Sequence, residues 1–196
     1  MIDYSEKNFG ATIERVLLAD GPDGSPDSAE VAYETSPPYG NFAPGGYWVR
    51  RPEAYDRALC LDPGTVLDFI YATQPKEWEK LKQQHSAEVK APFLKRLASE
   101  IGRRGTLDVL RYGIKDSGCK FQLACFRPAS GLNEALQTLY EANLFTVVRQ
   151  LKYSEKTEHS LDLVLFLNGL PIFTAELKNP LMGQTVQEAI HQYRFD

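Results

Sequence analysis

Hydrophobic positions change their period partway along the chain. In SEKNFGATIERVLL, Phe9, Ile13, Val16 and Leu17 recur at helical spacing behind Ser5, a good capping residue, and predict an amphipathic helix. DPGTVLDFIYAT and PKEWEKLKQQH predict two more helices, the second opened by Pro75, where a missing N–H costs little. APFLKRLASEIGRRG sets Phe93, Leu94, Leu97 and Ile101 on one face and ends near Gly102 or Gly105. The segments CKFQLACF, LFTVVRQLKY, LDLVLFL and PIFTAELK are short, apolar and rich in β-branched residues, and predict four strands. LNEALQTLYEAN and QTVQEAIHQYRF predict helices between the first two strands and after the last. The pattern is α/β: a mixed central sheet flanked by helices, with additional N-terminal helices.

From about Gly21 to Tyr47 the periodicity dissolves into Gly, Pro, Ser and Asp, which predicts a long irregular loop of raised mobility. A chain of 196 residues suits one domain, 1–196, with a helical and loop part over about 1–115 and a strand-rich core over about 116–196. The final predicted helix runs to Asp196, as expected of a piece of a longer protein. Composition changes little: 43% hydrophobic and 24% charged residues are ordinary for a globular protein. A net charge of −4 argues against a generally basic nucleic-acid coat, though not against a local basic groove. Cys60, Cys119 and Cys125 lack metal-ligand spacing and read as small core residues of a reducing, cytoplasmic environment. No run of residues is apolar and long enough for a membrane span.

One segment carries charges that a core strand should not. In LDLVLFLNGLPIFTAELK, alternation puts Asp162 on a face with Val164 and Phe166, and puts Glu176 and Lys178 on a face with Ile172 and Thr174. Register decides whether the charges meet. A two-residue turn at Asn168-Gly169 sets Asp162 opposite Ala175; a three-residue loop, Asn168 to Leu170, or a bulge sets it opposite Glu176. Two neighbouring carboxylates repel, and a divalent cation relieves that repulsion. Oxygen ligands favour Mg²⁺, or Mn²⁺, over zinc, and a lysine two residues on can hold a water for attack on a phosphodiester.

The D-x13-ExK pattern of Asp162, Glu176 and Lys178 resembles the PD-(D/E)xK nuclease motif. The wider sequence resembles the N-terminal nuclease domain of type I restriction enzyme R subunits. SEKNF, ALCLDPGTVLDFIYATQPKEWEKL, GTLDVLRYGIK, YEANLFTVVRQLKYS and NGLPIFTAELKNPLMGQTVQEAIHQYRFD carry the likeness in order. The resemblance implies a PD-(D/E)xK core that hydrolyses double-stranded DNA with Mg²⁺. It implies metal ligation by Asp162, Glu176 and the Leu177 carbonyl, with Lys178 on the attacking water. It further implies an ATP-driven translocase in the full-length subunit, and assembly with methyltransferase and specificity subunits. Leu161 stands where the family often has Pro. The QxxxY of many R subunits is met by Gln192 but not by its tyrosine, since Asp196 falls four residues on and Tyr193 is adjacent. Gln192 is thus a candidate catalytic residue, and Glu6, on the first helix, a further candidate at the metal.

Other features are less specific. Lys90, Lys95, Arg96, Arg103 and Arg104, followed by Arg111 and Lys115, make either a solvated helix face or a DNA-phosphate contact. Tyr47, Trp48 and Trp78 suit a core or a loop anchor better than base stacking. His85, His159 and His191 are too scattered for a shared metal, and no GxxxxGK[ST] phosphate loop is present. The rival readings are the nuclease domain of another defence or repair helicase-nuclease, and a non-catalytic descendant that binds DNA or a partner.

Overall fold

The computed structural model describes residues 6–18, 46–85, 88–130, 132–178 and 185–195. The predicted loop from Gly21 lies outside the described residues except for its end at Gly46 and Tyr47, and Ser5 lies outside them too. Helix α1 spans Glu6–Leu18, α2 Pro63–Thr73, α3 Pro75–Gln84, α4 Lys90–Arg104 and α5 Thr106–Tyr112. A short hairpin follows, β2 (Ile114–Asp116) with β3 (Cys119–Phe121). Then come α6 (Glu134–Glu141), β4 (Phe145–Lys152), β5 (Ser160–Leu167), β6 (Leu170–Ala175) and α7 (Val186–Phe195). The main sheet has the order β1-β4-β5-β6, where β1 is Trp48–Val49. It is mixed, with β1 parallel to β4 and the other pairs antiparallel. Among the described residues no helix is long and apolar enough to cross a membrane.

Helices α2 to α5 each bury residues against the core, and α2 and α6 begin at side-chain caps. Asp62 caps α2, its carboxylate accepting from Thr65 N (3.1 Å) and Thr65 Oγ1 (2.7 Å). The same carboxylate takes a bidentate pair from Arg50, at 2.9 and 3.2 Å, which fixes the end of β1 to the start of α2. Gly105 ends α4 at φ +84°, a conformation that suits glycine. Phe69, Phe93 and Phe121 are fully buried between α2, α4 and β3, with Trp78 stacked edge-on against Phe93. Each such ring contributes about 2–3 kcal/mol of burial. Trp78 is therefore core, as its sequence setting suggested, whereas Trp48 sits in β1. Cys119 is buried as expected and Cys125 partly, but Cys60 is exposed.

The first predicted strand, CKFQLACF, is only three residues long and lies outside the main sheet. Cys119, Phe121, Leu123 and Ala124 are buried and Phe126 is exposed, but the backbone after Phe121 takes its hydrogen bonds from side chains instead of a neighbouring strand. Gln74 donates to Gln122 O (2.9 Å) and accepts from Gln122 N (2.7 Å). Asn168 Nδ2 donates to Leu123 O (2.9 Å), and Asn143 Oδ1 accepts from Cys125 N (3.0 Å). These amides replace a ladder and lock the helical half onto the sheet. Asn168 is wholly buried and also accepts from Leu144 N (2.7 Å), so the hairpin tip is a joint within the protein.

Candidate active site

The site grows from one irregularity in a hairpin. Asn168 and Gly169 form a two-residue turn with φ +51° and +82°, the signs a type I′ hairpin needs. The turn is therefore the short one, not the three-residue loop. Left alone it would pair Asp162 with Ala175. Near the turn Leu167 faces Leu170 and Phe166 faces Pro171, but Leu165 then faces Phe173. Ile172 is the extra residue of a β-bulge, and Pro171 beside it has no N–H to offer. After the bulge Val164 faces Thr174 and Leu163 faces Ala175. The ladder ends at that pair; continued one step, the same register would set Asp162 across from Glu176. The bulge does what a longer loop would have done.

The strands also part at this point. β6 ends at Ala175, before Glu176 and Lys178, which the sequence had placed within the strand. The N–H of Leu177 donates to Asp162 Oδ2 at 2.7 Å, so the carboxylate occupies the gap between the strands. Asp162 Oδ1 accepts from Gln150 Nε2, also at 2.7 Å. Asp162, Glu176 and Lys178 are all partly buried. Asp162 stands at the end of a row formed with Phe166 and Val164, both about 1% exposed, and Tyr55 stacks edge-on upon Phe166. Ile172 shares none of that shielding; the bulge leaves it 40% exposed.

Gln150 is a residue that pattern reasoning passed over. It lies in mid-strand between Arg149, paired with Leu163, and Leu151, paired with Leu161. Its φ is +51°, which for a residue other than glycine costs about 1–3 kcal/mol. Ser160 Oγ donates to its Oε1 at 3.3 Å, which turns the amide nitrogen toward Asp162. Nothing in LFTVVRQLKY signals this conformation.

Helix α1 lies against the same strand ends. A methyl group on Gly10 would come within 3.3 Å of Leu177 Cδ1 and of Arg149 Nε, and Glu14 pairs with Arg149 at 3.8 Å. Burial pushes the Glu14 carboxyl up, against the pull of Arg149. Glu6 stands one turn before Gly10 on this helix, and its side chain lies outside the described residues. Gln192 falls on α7; its side chain and that of Tyr193 also lie outside them. Among the described residues no group of three or more His, Cys, Asp or Glu gathers to hold a metal. His159 is exposed, and His85 meets Ser117.

The predicted basic face divides. Arg96, Arg103 and Arg104 converge on Glu100, at 3.1, 2.7 and 3.2 Å, while Arg104 also meets Asp108 at 2.5 Å. Lys90 lines a separate cavity beside Trp78 and His85, and Lys95 is exposed and lines neither.

Comparison with known proteins gives one match. No curated protein and no solved structure matches the chain. The family model described as type I restriction enzyme R protein N terminus matches residues 133–196. That stretch holds α6, the three long strands, the bulged hairpin, Asp162, Glu176, Lys178 and α7. Over this last third of the chain, it supports the family likeness drawn from the sequence.

Proposed function

We propose that the chain is the endonuclease domain of a type I restriction enzyme R subunit, hydrolysing DNA phosphodiester bonds with Mg²⁺. The observation that carries this reading is the bond from the Leu177 N–H to Asp162, which brings the segment holding Glu176 and Lys178 beside that carboxylate once the bulge has shifted the register. Two carboxylates and a backbone carbonyl suit Mg²⁺ or Mn²⁺, which commonly take one or two protein carboxylates and fill the remaining positions with water and phosphate oxygens. The residues present fit such a cation. When bound, it supplies Lewis-acid stabilisation to the charge that develops on the scissile phosphate.

The chain's own residues do the rest. Asp162 and Glu176 hold the cation, with the Leu177 carbonyl as a third ligand and Glu6 as a further one. Gln150 fixes the carboxylate rotamer of Asp162. Lys178 donates from its ammonium to the attacking water and holds it in line, and Gln192 orients the DNA. ATP-driven translocation belongs to the rest of the full-length subunit, and sequence recognition to methyltransferase and specificity subunits. That division fits a chain in which no phosphate-binding loop occurs.

Calorimetric titration with Mn²⁺ tests the site directly. The chain should bind Mn²⁺, and Asp162→Asn or Glu176→Gln should weaken binding at least about tenfold. Equal affinity in both variants would remove the metal site. Gln150 offers a sharper test because its two roles separate. Gln150→Gly relieves the positive φ, so stability should rise by about 1 kcal/mol in urea denaturation. Mn²⁺ affinity should fall several-fold in the same protein, because Asp162 loses its support. Unchanged cation affinity would reduce Gln150 to a structural oddity.

A further inference from the structure

A cavity of about 410 Å³ lies away from the carboxylate site, between the end of α4 and the β2–β3 hairpin. Its size falls in the ~300–1,000 Å³ range typical of ligand pockets. Five cationic side chains line it, Arg96, Arg103, Arg104, Lys115 and Lys120, facing the single lining carboxylate of Glu100. Asp108, bonded to Arg104, offsets one charge more, and the cavity stays positive within a chain of net charge −4.

Two independent features point to an anion. First, Glu100 is 5% exposed and holds three guanidinium groups at once. Hydrogen bonds from Arg103, then Arg104, with Arg96 nearby, hold its carboxyl below the usual range despite burial, so it remains an ionised anchor. Each guanidinium has five N–H donors, and those not spent on Glu100, on Asp108 or, for Arg104, on Gly113 O are pre-ordered for a second acceptor. Second, Lys115 and Lys120 are direct cross-strand partners in the hairpin. Both are exposed, and neither has an ion-pair partner among the described residues. Like charges set directly opposite destabilise a hairpin. An oxyanion between lysines and arginines removes that repulsion.

We infer that this cavity binds a phosphate group, supplied by the backbone of duplex DNA. The phosphate chemistry follows from the cations alone; DNA as its source rests on the nuclease reading above. The pocket is an anchor remote from the carboxylates, so it sets affinity and leaves the chemical step untouched. It takes in Lys115 and Lys120, omits Lys90 and Lys95, and so redraws the basic face expected from the sequence.

The test is equilibrium binding of the 196-residue chain to a short DNA duplex, in chelator, over a range of salt concentrations. The variant is Lys115→Ala with Lys120→Ala, which spares the Glu100 cluster. Affinity should fall about tenfold on every duplex sequence, and the slope of log K against log salt should drop by roughly one to two. The urea midpoint should hold or rise, because a like-charge pair has gone. Chelator separates this result from the metal site, because no cation then links the carboxylates to DNA, whether or not the chain cuts it. Inorganic phosphate as a second probe separates the sources. Phosphate binding that depends on the lysines, beside duplex binding that does not, would overturn the DNA assignment in favour of a small phosphate ligand. Duplex affinity and salt slope both unchanged in the double variant, with no phosphate binding, would overturn the pocket itself.

Discussion

Lys178→Ala, assayed for Mg²⁺- and ATP-dependent cleavage in the assembled enzyme, should lose strand cleavage by about three orders of magnitude or more, while DNA binding and ATP turnover stay within about twofold. The reason is local. Lys178 lies just past the last residue of β6, two positions beyond Glu176, on the stretch that leaves the ladder beside Asp162. Its task in the proposed mechanism concerns the attacking water alone, and neither translocation nor recognition needs it. Asp162→Ala and Glu176→Ala should match it by emptying the cation site. Groups that act as a unit do not contribute additively, so the triple variant should fall little below any single one. Thermal melting separates loss of chemistry from loss of fold. Cleavage by Lys178→Ala at the unsubstituted rate would give the case to the binding-only reading.

Gly169→Ala should destabilise the protein by about 3 kcal/mol or more. Gly169 has φ +82°, and a methyl group there would stand 2.5 Å from Asp62 O and 2.8 Å from Val66 Cγ2. Backbone lies in the way, and the N-terminus of α2 cannot withdraw without breaking the bond from Asp62 N to Gly169 O at 2.8 Å. Gly118→Ala supplies the control. It has φ +76° in the other hairpin turn and nothing within 4 Å of the added carbon, so it reports conformational strain without collision. Its cost should be about 1 kcal/mol. Urea midpoints of the two variants give the comparison. Equal losses would mean that the hairpin tip is not wedged against α2.

How much of this was legible in the sequence depends on where the information resides. Helices α1 to α4, α6 and α7 declare themselves through local periodicity, and α2, α3 and α6 also through Pro, Asp or Asn at their starts. The register that would bring Asp162 toward Glu176 is also local, because alternation along two adjacent strands leaves only the turn undecided. What settled it, the bulge at Ile172, is invisible in composition: Pro171-Ile172 fits a regular strand start equally well. Strand β1 was missed because two residues carry no alternation. Trp48 and Val49 are strand only because Thr146 and Val147, far along the chain, lie beside them. Helix α5 was missed because it is short, set between Gly105 and Gly113, and leaves Leu107 60% exposed, which blurs its stripe. CKFQLACF misled for the opposite reason: burial made it apolar like a strand, while Gln74, Asn143 and Asn168 took the place of a ladder.

The bulge at Ile172 has a second consequence, for solubility. β6 is the last strand in the sheet order, and Ile172 and Phe173 on it are 40% and 53% exposed. A straight apolar edge of that kind is a template on which another molecule's strand can add, the first step toward aggregation. Ile172 breaks the even spacing of the edge, and Pro171 removes a donor just beside it. The irregularity that fixes the spacing of the proposed site thus also denies incoming chains a regular edge to copy.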